Sequence, residues 1–272
     1  MARPVAKTYK LLIAGAFVRS ESGRSYPTPA GINVPRASRK DLREAVRVAR
    51  AALPGWSGRT AYNRGQVLYR VAEVLSGRSL EFARALGGGR AGARQVAAAI
   101  DHLVFYAGCA DKLAQLGGSV NQVAGPYFNF TIPEPVGVVA VVAPGRPALL
   151  PLAAHLAASL CGGNVAIGLV SEEDPVPGLL LGEALASGDL PPGSVALLSG
   201  NRTELLPWLG SHRDLDLVDA LGCTADQARE LQVRAAASVK RVLLADQVGP
   251  APSPRLALQS LELKTVWHPV GV

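Results

Sequence analysis

From residue 136 onward the chain alternates short, predominantly apolar runs with helical stretches, and this alternation restricts the possible folds more than any other feature. The runs are Val136–Val142, Asn164–Leu169, Val195–Leu198, Leu215–Leu221 and Arg241–Leu244. Between them lie segments long enough for helices of about three turns. A strand with one face in water alternates apolar and polar residues; a run that is apolar throughout belongs to a strand covered on both faces. Such strands joined through helices form a parallel sheet with right-handed crossovers. The expected class is α/β, a doubly wound parallel sheet of about five strands, with ligands bound outside the strands' carboxyl ends.

The first half predicts helices packed beside that sheet. Residues 9–18 read as a hairpin turning at Gly15. Ser38 is placed to cap a helix running through Ala52, where Leu42, Ala45, Val46, Ala49 and Leu53 recur at helical spacing. Further helices are expected over residues 63–75, 80–86 and 94–116, with Gly87-Gly88-Gly89 breaking the last two apart. Tyr127–Ile132 alternates like an exposed strand, closed by Pro133 and Pro135.

Composition narrows the function. The chain of 272 residues carries 28 Lys and Arg against 21 Asp and Glu, a formal charge of +7, and all but six of the cations are arginine. They are scattered, with no block interleaved with aromatics, so a solvated surface is expected and a nucleic-acid partner is not. Cys109, Cys161 and Cys223 form no CxxC pair and imply neither a zinc site nor a disulfide framework. Cys109 and Cys161 are expected in the core, as is His155 on its apolar helix. His102, His212 and His268 are far apart, and Asp214 and Asp216 read as turn and cap residues, so no metal site is expected. The N-terminal residues lack an apolar signal region and no stretch is a clean membrane span, which with the cysteine usage places the chain in a reduced cytoplasm with no membrane partner.

Several segments, in order, carry a resemblance to a known family: Trp56-Ser57, Arg64 and Leu68 in the helical region; Glu134-Pro135-Val136-Gly137-Val138-Val139 before the first sheet strand; the Gly163-Asn164 turn; and Leu190-Pro191-Pro192-Gly193-Ser194-Val195. Together they resemble the aldehyde dehydrogenase superfamily, as a short, divergent member similar to the degenerate second unit of two-unit, family-16-type enzymes. The resemblance implies a Rossmann-like core with N-terminal helices, residues 37–124 and 134–250, and a small β oligomerisation arm, residues 1–36, 125–133 and 255–272. It also implies that a catalytic domain is absent between the strand ending near Ala245 and the segment beginning near Leu258.

That family's chemistry needs a cysteine thiolate, an oxyanion-stabilising Asn, a grip on NAD(P) and a Glu that activates water. The element carrying the Asn is matched by Pro144-Gly145-Arg146, with Arg146 in its place. The cofactor-gripping Lys-Pro-Ser-Glu is matched by Leu169-Val170-Ser171-Glu172, which keeps Ser171 and Glu172 and loses the lysine. The following glycine-spaced loop keeps Gly200, while Arg202 and Leu206 stand where small residues are needed. Cys223 falls on a cofactor-side turn, Ala220-Leu221-Gly222-Cys223, and Ala245 on the general base. The resemblance therefore implies no catalytic residue, vestigial cofactor contacts at Ser171, Glu172 and Gly200, a cleft lined by Arg146, Arg202 and Cys223, and no NAD(P) binding or only weak binding. The arm's expected interface residues are Tyr127, Phe128, Phe130, Leu263, Val266 and Trp267. The expected role is that of a structural or regulatory subunit, inactive alone, paired with itself or with a full-length aldehyde dehydrogenase. The alternatives are an NAD(P)-binding oxidoreductase whose partner supplies the thiol, and a binding protein that uses the old cleft for another small ligand.

Overall fold

The protein is described here by a computed structural model covering residues 7–244 and 251–271. Two hairpins open the chain, β1 (Leu11–Ile13) with β2 (Ala16–Val18) and β3 (Ser25–Pro27) with β4 (Asn33–Pro35). Helices α1 (Arg39–Ser57), α2 (Ala61–Gly77), α3 (Ser79–Ala85), α4 (Gly89–Cys109) and the short α5 (Leu113–Gly117) follow. Ser38 caps α1 as its position predicts: its side chain accepts from the amides of Lys40 and Asp41, and the Asp41 carboxylate accepts from the Ser38 amide at 2.7 Å. Strands β5 (Ser119–Asn121) and β6 (Tyr127–Pro135) lead into the alternating half. That half runs β7 (Val138–Val142), α6 (Leu150–Cys161), β8 (Val165–Leu169), α7 (Pro175–Ser187), β9 (Val195–Leu198), α8 (Arg202–Ser211), β10 (Leu217–Asp219), α9 (Ala225–Ala236) and β11 (Arg241–Leu243). Helix α10 (Pro254–Gln259) and strand β12 (Leu261–Pro269) end the described chain.

The main sheet has the order β11-β10-β7-β8-β9-β1-β2, with β7 to β11 all parallel. Every residue of β7, β8, β9 and β10 is buried, as strands covered by helices on both faces must be. The chain starts in the middle at β7, winds outward through β8 and β9, then returns to β7's other side for β10 and β11. The strand order therefore reverses between β7 and β10, which makes the gap beyond their carboxyl ends the switch-point crevice. The five parallel strands are those the apolar runs predict, each within two residues at its ends.

The smaller parts depart from expectation. The hairpin at residues 9–18 does not join the arm: β1 lies antiparallel to β9, with Leu12 opposite Leu197, and extends the main sheet. Leu11, Leu12 and Ile13 are all buried there, which explains why three consecutive apolar residues begin the chain's first strand. Residues 25–35, which read as turn, form their own two-stranded sheet. The arm is the three-stranded sheet β12-β6-β5. Its third strand, Ser119–Asn121, comes from the range assigned to the core. β6 also runs through Pro133 to Pro135 instead of stopping before them; β5 pairs no further than Thr131, so beyond it β6 is bonded on one side only, a setting that tolerates proline. Residues 254–259 are helix, with Ala257 fully buried, and so belong to the core side of the seam.

Candidate functional site at the switch point

The crevice is built by the turns after β7 and β10 and by the start of α8. The two turns press together: the Gly222 amide donates to Val142 O at 2.8 Å, and a Cβ on Gly222 would collide with the Ala143 carbonyl. Glycine is required at 222 for that close approach. Arg202, the first residue of α8, reaches across the seam. Its guanidinium donates to Gly222 O at 2.6 Å and to Ala143 O, and so bridges the carbonyls that follow β10 and β7. The Arg202 amide donates in turn to the Glu172 carboxylate at 3.0 Å, which holds the loop after β8 to the N-terminus of α8.

The other expected cofactor contacts have protein partners of their own. Ser171 is buried; its hydroxyl donates to Gly145 O at 2.7 Å and accepts from the Asp174 amide at 3.0 Å, fastening the loops after β7 and β8 together. A Cβ on Gly200 would come within 2.9 Å of Leu205 and 3.2 Å of Ala37 O, so this glycine is needed to seat the backbone ahead of α1. Leu169 and Leu206 are both buried. Burial pushes the Cys223 thiol up to about 11, with the nearby Arg202 charge opposing and Asp219 adding to the rise. A thiol so placed is protonated at neutral pH and is a poor nucleophile. Cys109 and Cys161 are buried, and burial raises both thiols.

The structure thus gathers Arg202, Glu172 and Cys223 at the crevice, and no hydrogen bond or ion pair joins Arg146 to them among the described residues. Arg146 is exposed and lines a cavity of about 550 Å³ with Arg84, Glu173 and Asp174. Burial raises the Asp174 carboxyl, and the Arg146 charge opposes that rise. A further pair went unnoticed in the sequence. His155 on α6 lays its Nδ1 against the Asp219 carboxylate at the end of β10, both residues buried, while the other Asp219 oxygen accepts from the Leu221 amide at 3.1 Å. This pair sets the turn that delivers Gly222 to Ala143. The signal available was weak: an acid closing an otherwise apolar strand, far in sequence from an isolated histidine.

The segments that carried the resemblance are structural braces. Trp56 Nε1 donates to Leu160 O at 3.1 Å and Arg64 Nε to Cys161 O at 3.1 Å, tying α1 and α2 to the end of α6. Asn164 accepts from the Gly137 amide at 2.9 Å and donates to Ser159 O at 3.1 Å and Ser260 O at 2.9 Å. Among the described residues no three His, Cys, Asp or Glu side chains gather as metal ligands, and no helix is long and apolar enough to cross a membrane.

The model of the aldehyde dehydrogenase family matches residues 28–247. The chain belongs to that family. It is 30% identical over 253 residues to the retinal dehydrogenase 2 of Mus musculus, covering 88% of this chain and 48% of that protein. It is 28% identical over 250 residues to the cytosolic aldehyde dehydrogenase 1 of Elephantulus edwardii, covering 86% and 49%. An aldehyde dehydrogenase of Bacillus cereus solved with NAD+ superposes with a TM-score of 0.79 at 25% identity, over 87% of this chain and 50% of the other. The chain spans about half the length of the curated relatives it matches. The shared part includes the α/β fold of the family's Rossmann-like core.

Proposed function

We propose that this aldehyde dehydrogenase homologue is inactive on its own and serves as a structural or regulatory subunit, associating with itself or with a full-length aldehyde dehydrogenase. One observation carries the loss of activity: Arg202 hydrogen-bonds the carbonyls of Ala143 and Gly222 across the switch-point crevice. A dinucleotide needs that space open, with small residues where its phosphates approach backbone. The residues here do not fit one. The crevice mouth is bridged by a guanidinium, Leu169 stands where the resemblance places a lysine, and Glu172 is engaged by the Arg202 amide. The raised thiol of Cys223 argues in the same direction, since it cannot stand in for the family's thiolate. The Ala245 position, matched to the general base, lies outside the described residues.

The reading that a catalytic domain is missing between the sheet and the arm is supported by the way the seam is fastened. Arg241 on β11 donates to Gln259 O and Leu261 O at 3.2 and 2.9 Å and pairs with Glu262 at 2.8 Å, so the last sheet strand and the arm's last strand are joined directly.

Calorimetric titration of the purified chain with NAD+ and with NADP+ tests the proposal. No saturable heat up to about millimolar cofactor is expected, together with no aldehyde-dependent reduction of either cofactor. Micromolar binding of either one would overturn it in favour of a cofactor-binding oxidoreductase that borrows a thiol.

A further inference from the structure

We propose that the surface between the N-terminal turns of α1 and the C-terminal half of α8 is a binding site for a small phosphorylated anion. Two adjoining grooves, of about 250 and 450 Å³, share Arg39 and Arg43 as walls. Arg213 and Trp208 complete the first, while Arg24 and Lys40 complete the second. Arg39, Lys40 and Arg43 share the first turns of α1, and the fold brings Arg24 and Arg213 to them.

Three features distinguish it from an ordinary solvated surface. First, its charge is not neutralised. Glu21 and Glu204 on the groove walls are taken by Lys40 at 2.6 Å and Arg36 at 2.9 Å. Glu44 next to Arg43 is held by Arg47 at 2.6 Å. That leaves Asp214 as the one remaining acid among the lining residues, against the guanidinium groups of Arg24, Arg39, Arg43 and Arg213, none of which makes a hydrogen bond or ion pair among the described residues. Surfaces normally intersperse the two signs. Second, the patch is partly ordered in advance. The Arg39 guanidinium lies 3.6 Å from the centre of the Trp208 ring, which removes freedom an arginine would otherwise lose on binding. Third, the surface is concave, with Arg39, Arg43 and Arg213 all lining the smaller groove, a set of cations suited to phosphate oxygens. A single-stranded nucleic acid would need a longer basic track with successive aromatic platforms; among the lining residues only Trp208 and the imidazole of His212 carry rings, both in the smaller groove. A small phosphate ester or pyrophosphate fits the patch better.

The site is separate from the switch-point crevice, and the probe keeps the two apart. Inorganic pyrophosphate, which has no nucleoside, is titrated into the intact chain at low salt by calorimetry, with tryptophan fluorescence as a second readout. Saturable binding is expected at about one site per chain, weakening steeply with added salt. The Arg43→Ala/Arg213→Ala double variant should bind at least about tenfold more weakly. Both side chains are exposed, so the variant should keep the wild-type circular dichroism and melting temperature. Arg146→Ala, which removes an exposed arginine from a different cavity, should bind like wild type. Trp208→Phe should lose the fluorescence change while keeping the heat. Absence of saturable binding at millimolar pyrophosphate, or equal weakening by Arg146→Ala, would overturn the proposal. So would oligothymidylate binding more tightly than pyrophosphate with an affinity that grows with length.

Discussion

Lys240 shows how one side chain links a helix end to pH. Its ammonium is buried and donates to Leu209 O at 2.8 Å and Gly210 O at 2.7 Å, carbonyls in the last turn of α8. Burial lowers its pKa from 10.5 to about 8, with the Asp216 charge partly opposing. The folded value is below the unfolded one, so between those two pH values the unfolded chain holds a proton that the folded chain has released. Stability then rises with pH across this window, and the penalty for burying the charge is fully present below it. Denaturant midpoints measured from about pH 7.5 to pH 10 should climb more steeply for wild type than for Lys240→Met; parallel profiles would contradict the assignment. Cys223 makes the complementary prediction at the crevice. With its thiol pushed up to about 11, it should react with a disulfide reagent far more slowly than a free thiol near neutral pH, and should accelerate only as the pH nears that value. A rate like that of free cysteine near neutrality would show that the thiol is neither buried nor raised.

At the scale of elements, the turn between α6 and β8 does more than its three residues, Gly162, Gly163 and Asn164, suggest. Asn164 is buried and joins three separate parts of the chain: the start of β7 through Gly137, the end of α6 through Ser159, and the tail through Ser260. Asn164→Ala would leave the buried Gly137 amide without its acceptor and take one of two donors from each of the Ser159 and Ser260 carbonyls, which keep the backbone amides of residue 164 and Val136. A loss of about 2–4 kcal/mol in unfolding free energy is expected by denaturant titration, whereas a loss below about 0.5 would mean that water replaces the side chain freely. The sequence exposes elements of this kind unevenly. The parallel strands were legible because burial on both faces of β7, β8, β9 and β10 leaves runs that are mostly apolar, and α1 was legible because its cap and its period agree. The placement of β1 was not, since its partner Leu197 is fixed by tertiary packing and a short hairpin reads the same in an arm as at a sheet edge. At the crevice the replacement of a small residue by Arg202 was legible, but not its use as a bridge between two carbonyls, because those acceptors are backbone atoms brought together only by the sheet. His155 and Asp219 escaped notice for the same reason: each looks ordinary in its own segment, and only the layer of α6 over β10 makes them a pair.

At the scale of the molecule, the arm is a three-stranded sheet that leaves much of its apolar surface exposed. β6 and β12 pair along nine residues, from Leu261 opposite Pro135 to Pro269 opposite Tyr127, and β5 adds a short third strand. Three strands are marginal unless one face packs against something. Yet Leu263 and Trp267 remain 59% and 58% exposed, and Tyr127 and Phe128 nearly half exposed, while Phe130 and Val266 partly cover each other as a cross-strand pair. The outer edge of β12 has no strand partner among the described residues. An open edge bordered by exposed aromatics is the kind of surface the proposed subunit role requires. The arm is also firmly seated, since Arg241 and Asn164 hold its root to the core, so a partner can load it without unfolding it. The expected outcome is that light scattering coupled to size exclusion gives a dimer or larger species at about 10 µM, either for the chain alone or after co-expression with a full-length aldehyde dehydrogenase from the same host. Leu263→Ser/Trp267→Ser should return it to monomer with its melting temperature little changed, because both side chains are already exposed. A monomeric wild type in both settings would remove the subunit reading while leaving the closed crevice to be explained by another role.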